Sequence, residues 1–318
     1  MQAKIEENTI RRKRMSFAKA ASKDFTRNKM LYFLILPFIA YYIIFHYIPM
    51  YGVIISFQDF RPGQGFFVGA DWVGFDHFIR FFQSHFFWRL IRNTLTISLS
   101  LLVFGFPIPI IFALLLNELR GKYFKRTVQT ITYLPHFISA VVIAGMVRAF
   151  VSDTGFIHAF VSMFTGTRQS LLNIPEYFVS IFVISDIWQS FGWSSIVFLA
   201  AIMGVDGELY DAAKIDGAGR FKQVWHITIP GIMPTIILLF ILRMGGILNV
   251  GFERILLLYN PGIYRTSDVI ATYVFRAGLL NADWSFSTAV GLFQSIVNLI
   301  FLISANWISK RLAETSLW

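Results

Sequence analysis

The chain has 318 residues, 56% hydrophobic and 14% charged, with a mean hydropathy of +0.60 and a formal net charge of +10. Soluble domains carry about 25% charged residues, so an ordinary water-soluble fold is excluded. Cysteine is absent, which excludes a disulfide framework and a thiolate-ligated metal.

Nine Lys and Arg residues fall in the first 29 positions, directly before an apolar stretch. A basic tail for nucleic acid competes as a reading, but this placement is that of a cytoplasmic membrane anchor. No nucleic-acid partner is therefore expected. The apolar stretch is too long for a cleavable signal, and no small-residue cleavage site follows it.

About 20 apolar residues cross roughly 30 Å of hydrocarbon. Six segments reach that length: 30–57, broken near Pro49, then 94–116, 128–150, 177–204, 232–250 and 286–308. Pro107, Pro109 and Pro135 fall inside spans and are expected as kinks. The reading is an all-α membrane protein, a six-helix polytopic bundle with a basic cytoplasmic tail at 1–29 and a membrane domain over 30–318. With both termini inside, the inner segments hold 18 of the 28 Lys and Arg residues, including every lysine. That bias is what the orientation requires. Between the first two spans, 71–89 repeats Phe75, Phe78, Phe82 and Phe86 at helical steps, which predicts an amphipathic helix on the outer surface.

Residues 205–231 interrupt two apolar spans on the inner side. Glu208 to Asp216 reads as a short helix, with Asp206 as N-cap and Gly217 as terminator. Small Ala212 and Ala213 permit close approach of another protein surface. The chain contains no G-x-x-x-x-G-K-[ST] phosphate loop, no H-E-x-x-H pair and no G-x-S-x-G elbow. It is expected neither to hydrolyse ATP nor to bind a metal or cofactor.

The interruption reads Asp211-Ala212-Ala213, three residues, Gly217, nine residues, then Ile227-x-Ile229-Pro230. This resembles the permease subunits of binding-protein-dependent ABC importers, whose motif is E-A-A, three residues, G, nine residues, I-x-L-P. Asp211 stands in place of Glu and Ile229 in place of Leu. The runs Phe45 to Gly52, Trp72-Val73-Gly74-Phe75, Asn93-Thr94-Leu95, Gly251-Phe252-Glu253, Asn260-Pro261 and Ala305-Asn306 resemble the subgroup handling oligosaccharides and polysaccharide fragments.

The resemblance implies the fold of the type I ABC importer permease and a place in the bacterial cell membrane, surrounded by lipid. It implies a second homologous permease, an extracellular sugar-binding protein, and two ATPase subunits carrying ATP and Mg. Asp211, Ala212, Ala213, Gly217 and Arg220 would then be the ATPase-coupling residues. Sugar would pass among the helices flanking the loop.

At about 1.5 Å per residue, Trp193 and Arg243 lie about 16 Å from the inner ends of their spans, and Trp188 and Asn249 about 24–25 Å. These four are the candidate substrate-binding residues, since aromatic faces and polar groups suit sugars. The tryptophans also suit packing. Arg243 is the most telling, because an arginine at that depth is functional by default. Its partner could be an acidic sugar, a neutral hydroxyl, Asp186 or a residue of the other permease. A secondary transporter or channel is the alternative, but no repeat supports it and the loop would lack a role. A membrane-anchored scaffold would need a soluble domain.

Overall fold

The computed structural model describes residues 22, 24–61, 63, 69–313 and 316–317, so most of the basic segment 1–29 lies outside the described residues. Helix α1 (Lys29–Phe57) leads into two short antiparallel strands, β1 (Gln58–Asp59) and β2 (Asp71–Trp72). Then come α2 (Asp76–Gln83), α3 (Phe87–Glu118), α4 (Lys122–Phe137), α5 (Ala140–Val151) and α6 (Phe156–Thr165). The second half holds α7 (Pro175–Met203), α8 (Gly207–Ile215), α9 (Arg220–Met244), α10 (Phe252–Leu258), α11 (Ile270–Leu280) and α12 (Trp284–Ala313). Among the described residues α1, α3, α7, α9 and α12 are each long and apolar enough to cross a membrane.

The expected third span is two helices. α4 and α5 meet at 101°, so the count reaches six only if the bent pair is one span. Pro135 sits in a tight turn at the end of α4. The chain then becomes extended at Ile138 and Ser139, and the Ser139 side chain accepts from the Val142 N–H to start α5. The freed Ile138 carbonyl accepts from Gln189 Nε2 of α7 at 2.8 Å. An unpaired carbonyl would be costly in hydrocarbon, and this bond removes that cost.

Other prolines behave differently. The expected break near Pro49 is absent, and α1 is continuous. The five-residue turn Ile43–Tyr47 is π-helical and lies just ahead of Pro49. The same device precedes Pro107 and Pro109 (Leu101–Gly105) and Pro230 (Val224–Thr228). A proline ring clashes with the carbonyl four residues back, and in each case that carbonyl lies in the widened turn. α9 therefore begins at Arg220, well before the expected 232, and ends at Met244, before the expected 250. α3 likewise starts at Phe87 and not at 94. The outer amphipathic helix shortens to α2, and its buried residue is Phe81, outside the predicted stripe.

α7 is the central strut. Phe178, Phe182, Ser185, Gln189, Gly192, Ser195, Leu199 and Ile202 are buried at three- and four-residue steps, a helical stripe facing the rest of the bundle. Near α8, Phe198, Leu199 and Ile202 pack with Ala113 of α3 and Ile232 of α9. At the other end, Phe81, Leu90, Ile270 and Phe286 join α2, α3, α11 and α12. By contrast, nothing from Lys29 to Met50 is buried.

Gly192 is where α7 meets α4. A Cβ added there would lie 2.2 Å from the Thr132 carbonyl oxygen, which is backbone and has no room to retreat. Gly192→Ala should destabilise the bundle by about 1–3 kcal/mol, read as a lower midpoint of thermal unfolding in detergent. An unchanged midpoint would show that α4 and α7 separate freely here.

Candidate functional site

No residue of α8 is buried, and the helix is held at both ends by hydrogen bonds. Asp206 caps it, its carboxylate accepting from the Glu208 N–H at 3.0 Å. At the other end Gly217 takes φ +75°. Its N–H donates to the Lys214 carbonyl at 3.0 Å, and the Ala218 N–H donates to the Ala213 carbonyl at 2.8 Å. This paired closure requires the left-handed conformation that glycine adopts at least cost. The expected N-cap and terminator are both in place.

Three contacts tie this segment to its neighbours. The Tyr210 hydroxyl meets the buried Thr228 Oγ1 of α9 at 3.0 Å. Gln223 Nε2 donates to the Ala218 carbonyl at 2.8 Å. Arg220 Nη1 lies 3.6 Å from Glu118 Oε2 at the end of α3. Of the motif residues, Asp211, Ala212 and Gly217 are exposed and Ala213 is half-buried. Asp211 pairs with Lys214 on the same helix at 2.8 Å, a surface pair of little energetic consequence. Leu209, Ile215 and Phe221 are exposed beside them. The result is a small, mixed surface on a helix whose ends are fastened to α9.

A cavity of about 390 Å³ opens higher in the bundle between α3, α7 and α9. Trp193, Ser190, Ser194, Asp186 and Arg243 line it together with apolar residues of α3. Of the four substrate candidates, the structure brings together Trp193 and Arg243. Trp193 is held by a parallel stack on His136 at 4.7 Å. Trp188 is exposed on another part of α7, and Asn249 lies beyond the end of α9, where its side-chain oxygen accepts from Gln294 Nε2 at 2.9 Å. The depth estimate carried the helix through Gly245 and Gly246, whereas α9 stops at Met244.

Arg243 sits in the last turn of α9, where the helix C-terminal carbonyls favour a cation. It is exposed and has no ion-pair partner among the described residues. Of the partners considered for Arg243, Asp186 is not paired with it. Asp186 Oδ1 instead accepts from Arg254 Nη1 of α10 at 2.7 Å. Arg254 also donates to Gln189. Arg254 is the residue that sequence reading missed. It lies 68 positions from its carboxylate, and its only local signal was a charged residue in an apolar run. With Asp186 neutralised from that side, the positive charge of Arg243 stands without a carboxylate of its own in the cavity wall.

Residues 105–314 match the family of binding-protein-dependent transport system inner membrane components. Protein LplB of Bacillus subtilis (strain 168) is 45% identical over 293 residues, 92% of each chain. The polygalacturonan/rhamnogalacturonan transport system permease protein YteP of the same organism is 43% identical over 294 residues, 92% of this chain and 91% of its own. A crystal structure of a bacterial ABC transporter involved in the import of the acidic polysaccharide alginate is similar at a TM-score of 0.84 and 45% identity. That match covers 92% of this chain and 99% of the other.

Proposed function

Because the chain belongs to the family of binding-protein-dependent transport system inner membrane components, we propose that it is the permease subunit of an ATP-driven importer of acidic oligosaccharides. The observation that carries this reading is α8, an exposed, doubly capped helix presenting Asp211, Ala212 and Gly217, on a chain with no phosphate loop of its own. In this reading α8 docks on one of two ATPase subunits, which bind ATP and Mg, and the cytoplasm lies on that side with both chain termini. A second, homologous permease completes the pathway, and an extracellular binding protein delivers the sugar.

The mechanism follows from the fastenings. When the ATPases close, α8 moves, and the Tyr210–Thr228 bond and the Gln223–Ala218 bond pass that movement to α9. Arg243 lies on the same continuous helix. Displacement at the docking face therefore changes the cavity between α3, α7 and α9, which admits sugar from one side and releases it to the other. Within the cavity Trp193 offers a flat face to a sugar ring, and Arg243 offers donors to a carboxylate. Two observations support acidic cargo: the unpaired Arg243, and the polygalacturonan and alginate of the relatives' names. A secondary transporter or channel would leave α8 without a role.

The test is uptake of radiolabelled tetragalacturonate into proteoliposomes holding the whole importer with ATP inside and the binding protein outside. Uptake should require both ATP and the binding protein. Accumulation that continues without ATP would overturn the reading.

A further inference from the structure

At the end of the bundle opposite α8, a second cavity of about 530 Å³ lies among α2, α3, α11 and α12. Along α3 it is separated from the first by about 18 Å, counting from Arg89 to Leu101. Three guanidinium groups border it, and each lies over an aromatic ring. Arg80 is 4.3 Å from the Phe286 centroid, Arg89 4.8 Å from Phe86, and Arg276 4.7 Å from Tyr264. Such stacking holds a flexible cation in one orientation. A carboxylate arriving there forfeits less side-chain entropy than at three free arginines.

The charges do not balance. Asp268 is fully buried and accepts from Arg89 at 2.9 Å and from Arg276 at 2.7 and 2.8 Å. Asp283 pairs with Arg80 at 2.9 Å. Among the described residues the charged side chains lining the cavity are Arg80, Arg89, Arg276 and Asp283, and with Asp268 buried against Arg89 and Arg276 three cations face two anions. The Asp268 bonds tether the 264–283 segment to α3, and Arg80 ties α2 to Asp283 and Phe286, yet one positive charge remains uncompensated. Arg89 Nε and Arg276 Nη1 also have no acceptor among the described residues. Burial, then a hydrogen bond with Tyr259, pushes the Tyr264 phenol above its ordinary value, so it stays a neutral hydroxyl.

We propose that this cavity is an outer binding site for carboxylate-bearing oligosaccharides, occupied before the cavity that holds Arg243. The proposal rests on the importer reading above and adds a station to it. A uronate carboxylate supplies the missing negative charge by charge-assisted hydrogen bonds to Arg80 and its neighbours. The tyrosine hydroxyls and Asn281 serve the sugar hydroxyls.

The experiment uses the whole importer in nanodiscs, without binding protein, and end-labelled tetragalacturonate followed by fluorescence anisotropy. Saturable binding is expected, and the carboxyl-reduced neutral tetrasaccharide should not compete. Arg80→Gln should weaken binding about tenfold, the loss of one charged hydrogen-bonding partner, and Arg80→Lys should recover most of it. Hydrogen exchange should show protection by tetragalacturonate in 76–89 and 264–286. Should Arg80→Gln fail to assemble, Asn281→Ala is judged by the same readouts. Absent binding, equal competition by the neutral sugar, wild-type affinity in Arg80→Gln (or in Asn281→Ala where that variant stands in for it), or protection confined to 186–198 and 239–243 would each overturn the proposal. The importer reading fails separately, if the wild-type complex takes up no tetragalacturonate with ATP and binding protein present.

Discussion

Gly217→Asp should lower sugar uptake per ATP hydrolysed by about 100-fold, an effect of about 2.7 kcal/mol, while α8 itself still forms. Gly217 has φ +75°, and a Cβ there meets nothing within 4 Å. No clash is introduced, so the bundle has no reason to unfold. The left-handed conformation costs most residues with a side chain roughly 1–2 kcal/mol, and aspartate and asparagine less. The rest comes from placing an unpaired carboxylate on a surface proposed to be covered by another protein, a penalty of several kcal/mol when one partner is missing. Gly217→Asn isolates the charge. Asparagine tolerates this backbone conformation and adds no charge, so its coupling should fall between wild type and the aspartate variant. The measurement is paired uptake and phosphate release in proteoliposomes. Wild-type coupling in Gly217→Asp would remove α8 from the power-transmitting surface.

Arg243→Ala should abolish transport of an acidic oligosaccharide while the complex assembles at wild-type yield. The residue is exposed to the cavity, ends α9 and holds up no neighbour through an ion pair. Its removal leaves no buried group stranded, so stability should change little. A carboxylate passing the site would lose its only guanidinium on that wall, a loss of about 2–5 kcal/mol for a desolvated charge pair. Uptake should fall at least about 30-fold, with Arg243→Lys retaining part of it through charge alone. Arg254→Ala is the informative contrast. It strips Asp186 and Gln189 of their partner inside the bundle, so it should reduce assembly itself. Normal transport by Arg243→Ala would eliminate the cavity between α3, α7 and α9 as the acidic-sugar path.

Several features were legible before any fold was known. Hydropathy located each long helix, since lipid demands about 20 apolar residues whatever the packing. Helix α8 was legible because its caps are local: Asp206 reaches two residues ahead, and Gly217 closes hydrogen bonds within five. What failed to show was geometry carried by distant partners. Residues 128–150 read as a span because apolar character is the same on both sides of a 101° bend. The prolines misled in both directions. Pro49 looked like a break and sits behind a π turn, while Pro135 ends a helix whose next carbonyl is taken by Gln189 of α7.

The sites divide in the same way. Arg243 was visible as a cation deep in an apolar run, yet its choice among a sugar, Asp186 and a neighbouring subunit could not be read along the chain. The 68-residue pairing of Asp186 with Arg254 narrowed it. Trp193 joined the cavity and Trp188 did not, because a helix turns its residues by about 100° each and only packing decides which face looks inward. The cluster of Arg80, Arg89 and Arg276 draws on segments almost 200 residues apart and had no sequence signal as a group. The sequence alone therefore determined that this chain spans a membrane, lacks its own phosphate loop and presents a capped helix between two spans. Those are properties of composition and of hydrogen bonds a few residues long. The tertiary structure decided where charge is left unbalanced, because a guanidinium's free energy depends on which carboxylates the fold brings within about 3 Å of it.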